Sequence, residues 1–189
     1  IQQSGIDYYK HSQSATGENG ERGDGFLSDL AHEWEESTSE LRDHCRYIIT
    51  RTAPVLHPDK PPLLQWTWAT QAMLGGIAGD GQQYLSWIHV GEYANIIQQM
   101  LSTTDFKGTY NLCAPEPIVY AEAMRVIGKA LHRPIWLPQP RSLLEGVLGE
   151  ASTLALDSRR VIPQRLLDEH KMTFQYPTFA KAIQHLIHL

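Results

Sequence analysis

Trp87 and His89 are the residues whose types and spacing most clearly invite chemistry. They lie in the run Gly79-Asp80-Gly81-Gln82-Gln83-Tyr84-Leu85-Ser86-Trp87-Ile88-His89-Val90. Two glycines around an aspartate signal a turn. Tyr84 to Val90 is rich in aromatic and β-branched residues, as strands are. Alternation puts Leu85, Trp87 and His89 on one face and Tyr84, Ser86, Ile88 and Val90 on the other. A polar-tipped indole and an imidazole beside a glycine turn can line a pocket. The same pattern also fits a half-buried strand with an aromatic rim. The remaining reactive side chains form no motif. Cys45 and Cys113 are the two cysteines; neither stands in a Cys-x-x-Cys pair, and no Cys/His spacing fits a zinc site. His32-Glu33-Trp34-Glu35 lacks the second histidine of a metalloprotease helix, so no metal site is expected.

The elements that must position Trp87 and His89 can be read around them. Residues 1–10 suggest the end of a strand that opens at Ser4-Gly5 into a loop. Residues 11–25 are rich in Gly, Ser, Asn and Glu, a loop composition. Phe26 to Cys45 predicts a helix, with Leu27, Leu30, Ala31, Trp34, Thr38, Leu41 and Cys45 inward. Asp29, Glu33, Glu36, Glu40 and Asp43 form its solvated face. Arg46–Arg51 predicts a strand ended by Ala53-Pro54. Residues 57–62 hold three prolines and read as a loop. Leu63–Leu74 predicts a helix closed by Gly75-Gly76.

Glu92–Leu101 predicts a helix with Ala94, Ile97 and Leu101 inward and Ile96 and Met100 beside them. Gly108–Cys113 predicts a strand. Tyr120, Met124, Ile127 and Leu131 mark a further helix that tolerates Gly128. From Arg133 the character changes to a proline-rich linker around Trp136. A short amphipathic helix follows at Leu143–Leu148, then a basic-apolar segment at Ser158–Leu167. Met172–Tyr176 alternates as a strand does, and Pro177-Thr178 opens a last helix bearing Phe179, Ala182, Ile183, Leu186 and Ile187. Strand–helix alternation points to an α/β fold with parallel strands.

Bulk composition limits the function classes. The 189 residues suffice for one good-sized domain with an appendage, and 42% hydrophobic against 20% charged residues permits a packed core. The net charge of -5, without a Lys/Arg run, argues against direct nucleic-acid or anionic-membrane binding. No run of eighteen apolar residues is present, so no membrane span is expected. Two free thiols suit a reducing compartment, although the pair could also be oxidised. The first residue is Ile1 rather than Met, which suggests a piece of a longer protein.

In this order the motifs resemble one family. They are Ser4-Gly5-Ile6-Asp7-Tyr8-Tyr9, Gly25-Phe26-Leu27 with Trp34-Glu35, Arg51-Thr52-Ala53-Pro54-Val55-Leu56, Gly81 through Val90, Tyr110-Asn111 through Pro117, Ala130 through Pro134, Leu148-Gly149-Glu150, Ser158 through Pro163, and Phe174 through Pro177. Together they resemble the second half of extended short-chain dehydrogenases of the NAD(P)-dependent epimerase/dehydratase superfamily. The likeness is to the branch called epimerase family proteins, which ends in a C-terminal domain of unknown function. It covers essentially the whole chain.

The resemblance implies the C-terminal part of a Rossmann-type parallel sheet at residues 1–132 and a small α+β substrate-side domain at residues 133–189. It also implies NAD or NADP as cofactor. The family's phosphate cradle is a glycine-rich turn between a strand and a helix. Gly75–Gly79 follows a helix instead, so that cradle is expected upstream of Ile1 or from another polypeptide.

In the superfamily a Ser and a Tyr contact the reacting oxygen, and a Lys four residues after the Tyr lowers its pKa. Ser4 stands at the family serine. Phe26 stands where the Tyr would be, and Leu30 where the Lys would be. Tyr8 and Tyr9, close to Ser4, are the candidate replacements as proton donor; alternatively they cap the strand and pack against the loop. Arg51, Trp87 and His89 are then expected on the substrate side. Gly5, Asp7, Lys10, Gly91 and Glu92 depart from the usual pattern around this region.

Two functions are compatible with the resemblance. One is a structural or regulatory subunit with weak or lost catalysis, held by other protein subunits. The other is an active oxidoreductase or epimerase acting on a small polar or nucleotide-sugar-like substrate. Either would be intracellular, in the mitochondrial matrix or a plastid of a eukaryote or in bacterial cytoplasm.

Overall fold

The computed structural model describes residues 1–149 and 156–187. Three strands, β1 (Gln2–Gly5), β3 (Ile48–Thr52) and β8 (Gly108–Leu112), form a parallel sheet in the order β1-β3-β8. Parallel strands need crossovers. The first runs through β2 (Ser12–Thr16) and helix α1 (Phe26–Glu36). The second runs through β4 (Val55–Leu56), α2 (Leu63–Gln71), β5 (Gly76–Ala78), β6 (Tyr84–Leu85), β7 (Ile88–His89) and α3 (Val90–Ser102). After the sheet come β9 (Ile118–Val119), α4 (Tyr120–Ala130), β10 (Leu137–Gln139), α5 (Arg141–Leu148), β11 (Arg159–Val161), α6 (Gln164–Asp168) and α7 (Phe179–Ile187). This is the expected α/β architecture with a parallel sheet.

The second half of the chain is tied to the first by paired strands. β10 pairs with β5 and β11 with β2, both parallel, and α7 packs on α4. The largest apolar cluster joins Leu56, Trp87, Met124 and Ile127 to Phe179, Ile183 and Leu186. A second cluster sits between the sheet and α3, where Ile48, Tyr110 and Leu112 meet Ile96 and Met100. Each fully buried side chain of this size contributes about 1.5–3 kcal/mol. In α4, Gly128 is required by close approach, because a Cβ there would lie 2.7 Å from the Arg133 carbonyl and 2.8 Å from Ile135.

Several elements differ from the sequence expectation, each for a physical reason. The glycine-rich stretch 11–25 contains β2, since its partner β11 lies almost 150 residues away and composition carries no trace of it. The helix begun at Phe26 stops at Glu36; a 3₁₀ turn, Ser39–Asp43, follows the Ser37-Thr38-Ser39 run, whose hydroxyls compete for backbone groups. Its inward face is Ser28, Ala31 and Glu35, while Phe26, Trp34 and Leu41 are exposed. The polar residues win because they find partners: Ser28 Oγ donates to the carbonyls of Tyr8 and Gly23.

In α3 the buried residues are Glu92, Ile96 and Met100, and Leu101 is outside, a phase shift of one residue. The strand expected over Tyr84–Val90 is two short strands split at Ser86-Trp87, and α3 already begins at Val90. Ser86 causes the split: its hydroxyl donates to the carbonyls of Arg159 and Val161 and accepts from the Val161 amide. The proline-rich linker includes β10. Met172–Tyr176 is not a strand; its amides are served by the Leu166 carbonyl and the Glu92 carboxylate instead. The Glu150 end of the Leu148-Gly149-Glu150 motif lies outside the described residues.

Candidate functional site

One register row of the sheet carries the site. Ser4 on β1 is paired with Arg51 on β3, and Arg51 with Asn111 on β8. Side chains at one register position of a parallel sheet share a face, and α1 covers this face with Glu35. Arg51 and Glu35 form a side-on pair, Nε to Oε1 and Nη2 to Oε2, both at 2.8 Å. Both side chains are buried. The Ser4 hydroxyl donates to the same Glu35 Oε1 at 2.8 Å.

Tyr8 and Tyr9 complete the cluster from the other side. The Arg51 guanidinium lies 3.3 Å from the Tyr8 ring centre and 4.8 Å from that of Tyr9, a cation–π arrangement. Tyr9 is 1% exposed, and its hydroxyl donates to Asn111 Oδ1 at 2.7 Å. Burial pushes the Tyr9 phenol up to about 12, against the pull of Arg51. For Arg51, burial works to lower its pKa, but Glu35 and Tyr9 outweigh that and the net direction is up. Asn111 is fixed further: its amide donates to Glu18 Oε1 and its Nδ2 to the Ile162 carbonyl. Glu18 also accepts from the Arg165 amide, while Arg165 Nη1 donates to the Thr109 carbonyl. These two side chains serve the free edge of β8 where a further strand would otherwise bond. Burial raises the Glu18 carboxyl despite those donors.

Tyr8, Glu35 and Arg51 also line a pocket of about 430 Å³ with Tyr47, Lys107 and Thr109. Tyr8 is half-buried, and its hydroxyl has no hydrogen-bond partner among the described residues.

Trp87 and His89 belong to a different cluster. Trp87 is fully enclosed, edge-on to Phe179 at 5.3 Å, and its indole N–H has no acceptor among the described residues. His89 is 3% exposed, with Tyr176 stacked at 4.0 Å. Its Nδ1 accepts from the Gly91 amide, capping α3, so the ring proton is on Nε2 and is donated to His185 Nδ1 at 3.2 Å. Burial first, and His185 second, hold the His89 imidazole down to about 4. The two sets of residues thus lie in separate surroundings: Ser4, Tyr8, Tyr9 and Arg51 converge, whereas Trp87 and His89 pack in the core beneath α7.

The sequence alone does not point to Glu35, Asn111 or Glu18. Glu35 and Asn111 stand inside quoted motifs, yet their partners come from distant strands. Phe26 is 64% exposed at the start of α1, and Leu30 is half-buried. At Gly79 and Gly81, φ is +61° and +71°, and a Cβ at Gly81 would meet Ile77 and Ala121 at under 3 Å. This glycine turn is filled by its own core. No three His, Cys, Asp or Glu side chains converge as a metal site among the described residues. No helix among them is long and apolar enough to cross a membrane. Cys113 is buried and its thiol is pushed up by burial, while Cys45 is exposed.

Comparison with known proteins places the chain by sequence and overall fold. Residues 139–186 match the family "Domain of unknown function (DUF1731)". An Arabidopsis thaliana protein, "Epimerase family protein SDR39U1 homolog, chloroplastic", is 33% identical over 87% of this chain and 48% of its own length. The Bacillus subtilis epimerase family protein YfhF is 29% identical over 99% of the chain and 62% of its own length. The crystal structure of human epimerase family protein SDR39U1 (isoform 2) with NADPH superposes with a TM-score of 0.92 at 28% identity, over 98% of this chain and 64% of that one. The chain therefore spans about half to two thirds of the length of these relatives. In sequence and fold it is a homologue of the C-terminal part of the epimerase family proteins and carries DUF1731 as its C-terminal domain.

Proposed function

We propose that this chain is the substrate-side portion of an NAD(P)-binding epimerase-family protein in which the serine–tyrosine proton relay has become structural. On this reading the protein has weak or no catalysis and serves as a structural or regulatory subunit among other protein subunits. One observation carries it: the Ser4 proton is committed to Glu35 and the Tyr9 proton to Asn111, both in buried surroundings. A phenol held near 12 and fully enclosed is a poor general acid or base at neutral pH. Phe26 and Leu30, at the places of the family's Tyr and Lys, have no group that can exchange a proton. NADP or NAD, held mainly by residues outside this chain, would act as a structural ligand; when reactive it supplies hydride transfer. From this chain such a ligand would meet only the C-terminal ends of the parallel strands, where ligands of open α/β sheets bind.

The Tyr8 hydroxyl supports a second reading. It has no hydrogen-bond partner among the described residues, and it lies beside a guanidinium at the wall of a 430 Å³ pocket. An active oxidoreductase or epimerase on a small polar or nucleotide-sugar-like substrate would use Tyr8 as its acid/base. Isotope exchange between labelled NADPH and candidate substrates, run on the full-length protein, separates the two. The structural reading expects the rate to stay within about twofold in Ser4→Ala, Tyr8→Phe and Tyr9→Phe. A loss of about a hundredfold or more confined to Tyr8→Phe establishes the second reading and sinks the first.

A further inference from the structure

Helix α2 is apolar on both sides, although its outer side faces solvent. The inner side sets Leu63 into the core and Trp66 edge-on to Tyr120. The outer side carries Leu64 and Trp68, one helical turn apart, and Trp68 is 66% exposed. A surface helix keeps polar residues outside, whereas a helix apolar all round belongs in an interior. The apolar surface continues past the helix end. The Leu74 amide donates to the Ala69 carbonyl at 2.8 Å, and the Gly75 carbonyl accepts from the Trp136 amide. A Cβ at Gly75 would meet Ile135 at 2.9 Å and Thr70 at 3.0 Å, so α2 and the segment entering β10 are in close contact. Leu64, Trp68, Met73, Leu74 and Trp136 thus line one stretch of surface. They are half of the ten large apolar side chains exposed among the described residues.

This face is also free of charge. Residues 61–79 and 134–140 contain no Asp, Glu, Lys, Arg or His, in a chain that is 20% charged. A partner surface bearing charges would lose their hydration here and find no counter-charge. Asp59, Lys60, Asp80 and Arg133 stand at the ends of these segments. Their mixed signs suit the polar rim of a protein interface and not an anionic headgroup layer. A second copy of this chain brings the same uncharged face. Two indoles, two leucines and a methionine at these exposures present roughly 500 Å² of apolar surface. A standard interface buries about 800 Å² per partner, about 65% of it apolar between identical subunits, so the face matches the apolar centre of such a contact. We propose that α2 and the Trp136 segment form the interface of a symmetric homodimer, each Trp68 seated against the Leu74–Trp136 end of the other copy. The dimer goes beyond the function proposed above and does not rest on it, since association is read without turnover.

Sedimentation velocity of the full-length protein over a concentration series is the test. The native protein is a dimer at micromolar concentration. Trp68→Glu and Trp136→Glu each place a charge in the face and weaken association by about a hundredfold or more. Trp34→Glu, at an exposed indole of α1, leaves it within about twofold. Native-like circular dichroism shows that each variant is folded, and Leu64→Glu decides should either of the first two fail to fold. The dimer is overturned if the native protein stays monomeric up to about 200 µM, whether Trp68 is then shielded from acrylamide quenching by another part of the chain or open to it. It is equally overturned if the native protein binds phosphatidylcholine vesicles as a monomer, if Trp68→Glu and Trp136→Glu both remain dimeric, or if only Trp34→Glu dissociates.

Discussion

Two buried arginines, Arg51 and Arg159, show how differently one fold can answer a guanidinium. Arg51 sits in the middle of the parallel sheet with both edges of its environment filled: Glu35 side-on, Tyr8 and Tyr9 against its plane. Arg159 sits at the start of β11 with one long contact to Asp7, and its enclosed Nε–H has no acceptor among the described residues. Both are buried. A buried guanidinium is tolerated only when its donors are answered. The answered arginine is held firmly in the framework, and the half-answered one is held by a single long contact.

Breaking the Arg51 cluster has the largest expected effect. Glu35→Ala leaves a buried, unpaired guanidinium and lowers unfolding free energy by about 3–5 kcal/mol. Chemical denaturation of the full-length protein measures this, and a loss under about 1 kcal/mol would show that water reaches Arg51. The Glu35→Ala, Arg51→Met double variant should recover part of the loss, because the partners act as a unit.

The His89 cluster sharpens the comparison through pH. His89 is held to about 4 in the folded protein against 6.5 ordinarily. Between those values the unfolded chain takes up a proton that the folded one refuses. Stability therefore falls as pH drops from 6.5 to about 4, contributes nothing above 6.5, and levels off below 4. The loss is about 3 kcal/mol from 1.36 kcal/mol per pH unit. His89→Asn keeps a cap acceptor for the Gly91 amide, so the difference between the two pH curves isolates His89 from His11 and Glu18. Parallel curves would show that His89 titrates normally.

Tyr9→Phe comes next. It removes the Asn111 hydrogen bond without opening a cavity and costs about 1–2 kcal/mol by thermal unfolding. Arg42→Ala, which breaks an exposed pair with Glu36, should change stability by less than about 0.5 kcal/mol.

The same comparison explains what the amino-acid order reveals. The parallel sheet is legible because Ile48, Ile49, Tyr110 and Leu112 occur in short apolar runs between helices, as buried parallel strands must. α4 and α7 are legible because Tyr120, Met124 and Ile127, and Phe179, Ala182, Ile183 and Leu186, recur at helical spacing and are buried as expected. α1 is not, because its buried face is set by Ser28 and Glu35, polar residues whose partners lie on other elements. Helical periodicity therefore assigns Trp34 to the core, yet it is 53% exposed. The strand pairs β2–β11 and β5–β10 are equally hidden, since pairing across so long a separation leaves no local pattern.

At the site, Ser4, Tyr8, Tyr9 and Arg51 are legible as a set through family resemblance, and the structure does bring them together. Their hydrogen-bond partners, Glu35 and Asn111, are not, and those partners decide what the set can do. Trp87 and His89 show the opposite failure. Their alternation suggested one face of a strand, but Ser86 binds the β11 backbone and interrupts it, and both rings go to the core.

The Tyr9 phenol tests the central claim most directly. Tyrosine labelled with carbon-13 at Cζ in the full-length protein reports each phenol as pH rises, with Tyr9→Phe giving the assignment. A structural Tyr9, enclosed and donating to Asn111, remains protonated to about pH 11, in line with its value near 12. Titration of Tyr9 below about pH 9 would contradict the account, because the phenol would then be primed for proton exchange as in an active enzyme.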